Sequence, residues 1–250
     1  MSEREDLTGR VRAWWDADAA TYDHSPDHGP GSPAQQAAWN AALHRFLPGP
    51  GSRVLDVGAG TGFLSLAAAR LGHPVTALDL SEEMLARLRE HAHREGLEVE
   101  VVHGGAEDPP PGPFDAVIER HLMWTLPDPE AALAAWRAVA PEGRLVLFEG
   151  LWGESDPVEA LRGQAREGLR RLRGEPDHHH GSYDPETVAE LPLARGAHPD
   201  RLVELVEGAG WGPVRLERLG DVEWAQLLGL PASARLLGVT PKFAVVAGRP

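Results

Sequence analysis

Residues 53–62, Arg-Val-Leu-Asp-Val-Gly-Ala-Gly-Thr-Gly, constrain this chain more than any other stretch. A short apolar run around Asp56 passes into Gly58, Gly60 and Gly62, and a helical pattern opens at once with Phe63, Leu64, Leu66 and Ala67. Strand, tight glycine turn and helix N-terminus together make a nucleotide cradle. The glycines let the backbone approach a ligand closely, and the first N–H groups of the helix are free to bind it. A second apolar run closes in Asp79, 23 residues after Asp56, where an acid can accept both hydroxyls of a ribose. The pattern predicts a nucleoside-cofactor site.

Two residues narrow the cofactor. The dinucleotide fingerprint needs Gly or Ala three residues after its second glycine, and Phe63 stands there. A carboxylate at Asp56 repels a pyrophosphate but suits the ammonium of an amino-acid moiety. Here Val54-Leu-Asp-Val-Gly-Ala-Gly-Thr-Gly62 resembles the first motif of the class I S-adenosylmethionine-dependent methyltransferases. The resemblance continues in order through Asp79-Leu-Ser-Glu-Glu-Met-Leu85, Gly104-Gly-Ala-Glu-Asp108, Phe114–Glu119, Leu126–Glu130 and Trp136–Glu149. It implies S-adenosylmethionine as cofactor, with Asp56, Gly58, Ala59, Gly60 and Thr61 in the loop and Asp79 and Leu80 at the ribose. Met84, Ala106 and Glu107 then fall at the adenine, and Tyr22 and Arg120 nearby. Two positions depart from the family pattern. Gly105 replaces the usual Asp of the adenine turn, which throws recognition of the amino group onto Glu107. Pro141-Glu-Gly143 replaces Pro-Gly-Gly before the fifth strand and reads as surface variation.

Charge and composition exclude other classes. A net charge of −14 without a basic stripe argues against a nucleic-acid partner. The one basic cluster, Arg162–Arg173, is interleaved with Glu159, Glu167 and Glu175 and reads as a solvated helix face. Cysteine is absent, so disulfides, thiolate nucleophiles and thiolate metal sites are excluded. No apolar run reaches membrane-span length and the start is no signal peptide, which predicts a cytoplasmic protein without a membrane partner. Lys242 is the only lysine, so most lysine chemistry is ruled out.

Along the chain, helical spacing covers 4–19 and 33–47, with a polar, turn-rich segment Tyr22–Ser32 between them. Strand patterns near 53–57, 75–79, 98–103, 114–119 and 143–149 alternate with helices, which predicts an α/β, doubly wound, mostly parallel sheet. A helix at 199–209 and strands near 213–222 and 241–248 complete seven strands, and the resemblance implies that the last two form an antiparallel pair at one edge. The expected organisation is a helical cover (1–48), a cofactor-binding core (49–150), a substrate cap over the sheet's ligand edge (151–197) and a C-terminal completion of the same sheet (198–250).

Ligands in such sheets sit beyond the carboxyl ends of the strands. His121, after the fourth strand, is the first catalytic candidate, since imidazole titrates near neutrality and can take a proton from an acceptor. A pocket-shaping role stays open for it. Glu149, ending strand five, is the second candidate, with a structural role as the alternative. Arg120 fits a carboxylate of cofactor or substrate, or an ion pair with Glu119 or Asp128. Tyr22 to His28 resembles the family's flexible cover, with His24 and His28 as weaker contacts. His178–His180 reads as a loop rather than a metal site, and no metal is expected. Trp124 and Trp152 are candidate pocket walls for a flat acceptor. Asn/Asp-Pro-Pro-Tyr is absent, with Glu119-Arg-His-Leu122 in its place, and neither the ribose-methylation tetrad nor a metal-dependent catechol acid cluster is present. What remains resembles bacterial small-molecule methyltransferases, acting on a secondary-metabolite or quinone-like acceptor. The acceptor atom and a homodimer stay open. The rivals are a nucleotide-dependent oxidoreductase and a non-catalytic cofactor-binding scaffold.

Overall fold

The computed structural model describes residues 3–24, 28–29, 31–151, 156–174 and 183–248. Its elements are α1 (Glu3–Asp18), α2 (Pro33–Phe46), β1 (Val54–Val57), α3 (Phe63–Arg70), β2 (Val75–Asp79), α4 (Glu82–Glu95), β3 (Glu100–His103), β4 (Ala116–Arg120), α5 (Pro129–Val139), β5 (Arg144–Gly150), α6 (Pro157–Leu172), α7 (Pro185–Glu190), α8 (Pro199–Gly208), β6 (Arg215–Arg218), α9 (Gly220–Gly229), α10 (Ala232–Arg235) and β7 (Lys242–Gly248). One seven-stranded sheet runs in the order β3-β2-β1-β4-β5-β7-β6. The first five strands are mutually parallel and β7 runs antiparallel to both its neighbours. The doubly wound fold expected from strand–helix alternation is therefore present.

Every residue of β1 and β5 is buried, as central strands covered on both faces must be. One face packs Leu55, Val117, Leu133, Trp136, Leu145 and Trp211 under α5 and α8. The other packs Trp39, Leu43, Phe46, Ile118, Phe148 and Val222 under α2, α3 and α9. Local signals start the helices where the sequence asks. Ser81 caps α4 by accepting from the Met84 N–H, and Asp128, followed by Pro129, caps α5 by accepting from Ala131. Gly62 opens α3 with no side-chain cap.

One detail differs from the sequence reading. β6 stops at Arg218 rather than continuing to 222, and α9 and α10 follow. Val222 and Ala225, both buried, sit at helical spacing and seat α9 on the sheet. β7 lies between β5 and β6 and pairs antiparallel with β6 at that edge of the sheet, as the resemblance implied. The segment 151–197 contains a 16-residue helix, α6, whose Arg166 bonds to the Leu237 carbonyl and the Thr240 hydroxyl and so ties it to the C-terminal part of the chain. Among its described residues, Tyr183 and Leu191 pack with Leu7 and Val11 of α1. Trp152 and His178–His180 lie outside the described residues.

Candidate active site

The carboxyl ends of β1, β2 and β4 face a cavity enclosing about 760 Å³ of unfilled space, counting its mouth. Gly58, at φ +65°, turns the chain out of β1, and a Cβ there would lie 2.6 Å from Leu122 Cδ1. Gly60, at φ +54°, faces open space, with only a Tyr22 ring carbon near the Cβ position. The loop is thus close-packed behind and open in front.

Asp79 organises that loop. Its Oδ2 accepts from the Gly60 N–H at 2.7 Å and its Oδ1 from the Ser81 N–H at 2.8 Å. Each oxygen keeps a lone pair for a further donor. Burial raises its affinity for a proton, against those two backbone donors. Leu80, Met84, Ala106 and Glu107 continue the wall. Trp136, which the sequence reading assigned no site role, donates its indole N–H to the Ala106 carbonyl at 2.8 Å and so fixes the turn that carries Ala106 and Glu107. The apolar slot, the carboxyl with spare lone pairs and the open glycine turn suit the adenosyl half of S-adenosylmethionine.

Of the expected contacts, Tyr22, Gly58, Gly60, Asp79, Leu80, Met84, Ala106, Glu107, Arg120 and His121 all line this cavity. Asp56, Ala59, Thr61 and Glu149 do not. Asp56 is buried beneath the loop, accepting from the Ser65 hydroxyl at 2.5 Å, and burial pushes it up to about 7. Ala59 packs with Ala77, Leu85 and Leu88. Thr61 turns to the outer side, where its hydroxyl donates to Asp23 at 2.7 Å.

The N-terminal helix closes the cavity. Thr8, Val11 and Trp15 of α1 line it. The Ser81 hydroxyl donates to Asp16 at 2.6 Å, and Arg4 pairs with Asp128. Past α1, a short turn (Tyr22–His24) is held by Asp23, whose second oxygen lies 3.3 Å from His91 Nε2. Tyr22 stacks on His28 at 3.9 Å, and burial pushes its phenol up to about 12; His24 is exposed. Trp14 and Trp124 both make ring contact with Trp15, and both touch Tyr183. Trp124 therefore backs the wall. α2, by contrast, belongs to the sheet layer.

The turn after β4 carries the reactive groups. Arg120 lays its guanidinium 3.8 Å over Phe63 and 5.2 Å over Trp39. His121 Nδ1 lies 3.4 Å from Glu149 Oε2, and its ring rests on the Gly150 backbone, where a Cβ would meet Cε1 at 3.6 Å. Glu149 is 4% exposed, and its Oε1 accepts from the Met123 N–H at 3.3 Å. On the neighbouring strand Glu119 is fully buried and accepts from the Leu122 N–H at 2.8 Å. Burial raises both carboxyls above their usual range, and Glu149 beside it raises Glu119 further. Glu149 can hold imidazole with Nδ1 protonated, leaving Nε2 as an acceptor.

An open α/β sheet with this glycine turn, ribose acid and covered cavity defines a nucleoside-cofactor transferase. Residues 54–143 match the family model described as a methyltransferase domain. The chain is 32% identical over 190 residues to a ubiquinone biosynthesis O-methyltransferase of Xanthomonas campestris, covering 73% of this chain and 74% of the relative. The fold is shared with a phosphoethanolamine N-methyltransferase of Haemonchus contortus solved with S-adenosylhomocysteine (TM-score 0.62, 18% identity, 96% of this chain and 60% of that one). A methyltransferase of Aquifex aeolicus also shares it (TM-score 0.57, 20% identity, 86% and 93%). The chain belongs to the class I S-adenosylmethionine-dependent methyltransferases. It is an enzyme that transfers a methyl group from S-adenosylmethionine to a small molecule, and the oxidoreductase and scaffold alternatives fall with that result.

Proposed function

We propose that the acceptor is a phenolic hydroxyl on a small, flat, quinone-like ring, and that His121 takes its proton. The observation that carries this reading is the His121–Glu149 pair at the rim of a cavity walled by Trp15 and Tyr22. A phenol holds its proton at neutral pH, so an acceptor of this type needs a base where an amine does not. The name of the Xanthomonas relative supports an oxygen acceptor.

Bound S-adenosylmethionine supplies an electrophilic methyl group. The chain's own residues do the rest. Asp79 holds the ribose, Met84 and Leu80 flank the adenine, Glu107 accepts from its amino group, and Arg120 binds the carboxylate. α1 and Tyr22 keep water out, which strengthens every charge interaction inside. His121 Nε2 accepts the phenol proton, and the imidazolium formed is stabilised by Glu149 beside Nδ1. Alignment in a dry site accounts for most of the remaining acceleration. The −14 charge supports a site that favours a cationic cofactor and shuns nucleic acid. Similarity to a biosynthetic enzyme of Xanthomonas supports work in the cytoplasm.

The test is product identity. Incubated with methyl-labelled cofactor and a panel of catechols and hydroxyquinols, the protein should place the label on a ring oxygen. Label on carbon or nitrogen, or transfer to acceptors with every hydroxyl blocked, overturns the assignment.

A further inference from the structure

Glu119 is outside the cavity wall, yet the turn that aims His121 ends on it. Residues 120–123 leave β4 with His121 at φ +57°, the one non-glycine residue with positive φ among the described residues. A side chain in the left-handed region costs about 1 kcal/mol and persists only where its surroundings fix it. Here two successive backbone donors fix it: the Leu122 N–H ends on Glu119 Oε2 and the Met123 N–H on Glu149 Oε1. The two acids come from adjacent strands, with Glu119 paired in register to Leu147. Glu119 Oε1 is buried with no hydrogen-bond partner among the described residues.

We propose that Glu119 is a positioning residue, which holds the left-handed turn by accepting from the Leu122 N–H and thereby sets the direction and tautomer of the His121 imidazole. Burial raises the proton affinity of both carboxyls, and Glu149 alongside raises that of Glu119 further, while Glu149 also receives the Met123 N–H and a further donor from the Gly150 backbone. Of the two acids, Glu119 holds the turn and Glu149 faces His121 Nδ1. An apolar residue at this position would strand the Leu122 N–H in a dry interior. This inference rests on the reading of His121 as the base.

The test separates the two claims. The His121 imidazole is observed by nitrogen NMR, assigned as the resonances missing in His121→Asn. Catechol with methyl-labelled S-adenosylmethionine gives turnover. Wild type and Glu119→Gln, which keeps an acceptor for the Leu122 N–H, should both show the Nδ1–H tautomer. Glu119→Leu should mix tautomers and lower kcat roughly 10-fold or more, with KM and cofactor affinity held. If Glu119→Leu does not fold, Glu119→Asp, too short to reach Leu122, serves in its place with the same expectation. Combined with His121→Asn, the Glu119 substitution should lower kcat no further. An unchanged tautomer in the folded Leu or Asp variant, or a full additional loss in the double variant, overturns the positioning role while leaving the base intact. Wild-type turnover by His121→Asn alone overturns the base instead.

Discussion

At the scale of single residues, the acids of this site divide by what they touch. Asp79 meets both the cavity and the loop, so Asp79→Ala should weaken cofactor binding by about 2 kcal/mol, two charge-assisted hydrogen bonds being lost. Titration calorimetry on the folded variant measures it, and unchanged affinity removes Asp79 from the site. Asp56 touches only the scaffold. Burial raises it from 3.8 to about 7, so the folded protein binds that proton more tightly than the unfolded chain. This group's contribution to stability therefore falls as pH rises through that window. Asp56→Asn keeps an acceptor for Ser65 and removes the charge. Its melting temperature relative to wild type should climb by several degrees between about pH 5 and pH 8; a flat difference refutes the buried-charge account. The loop glycines, Asp79 and His121 were legible because backbone freedom and ionisable chemistry leave marks in a sequence. Glu119, Trp136 and the inward turn of Asp56 were not. Burial and partners are products of strand neighbours far apart in the chain, and Glu119 reads like any strand-end acid until Leu122 folds back over it.

At the scale of elements, the cover is one helix and a turn clamped at several points. Asp16 on Ser81 and Asp23 on Thr61 and His91 join it to the cofactor loops, and Arg10 on Thr187 and Glu190 joins it to α7. The clamps at Asp16 and Asp23 hold the cover against the two loops that carry Gly60 and Asp79. Asp16→Ala combined with Asp23→Ala should speed cofactor release by roughly 10-fold while the melting temperature changes little, because each bond is partly exposed and worth about 1 kcal/mol. Stopped-flow fluorescence of the tryptophans reads this directly, and an unchanged release rate means the cover does not gate the site. Periodicity showed α1, α2 and the five parallel strands clearly. It failed at 219–229, where a strand pattern runs straight into a helix whose buried positions depend on α2 lying opposite.

At the scale of the whole molecule, the sheet order puts the ends of β1, β2, β4 and β5 beside one another. One cavity thus receives the ribose acid from β2, the glycine turn from β1 and the histidine from β4. The lone acid on β5 completes the set from behind. No helix among the described residues is long and apolar enough to cross a membrane, and α1 forms one wall of this cavity. The central claim is that this assembled site removes a phenolic proton as the methyl group moves. The pH dependence of single-turnover methylation of catechol, cofactor prebound, tests it most directly. In wild type the rate should rise with pH along a limb of unit slope as the imidazole loses its proton. In His121→Asn the rate should drop by roughly 100-fold or more, and the limb should vanish. An acid limb that persists unchanged in His121→Asn at near wild-type rate would contradict it.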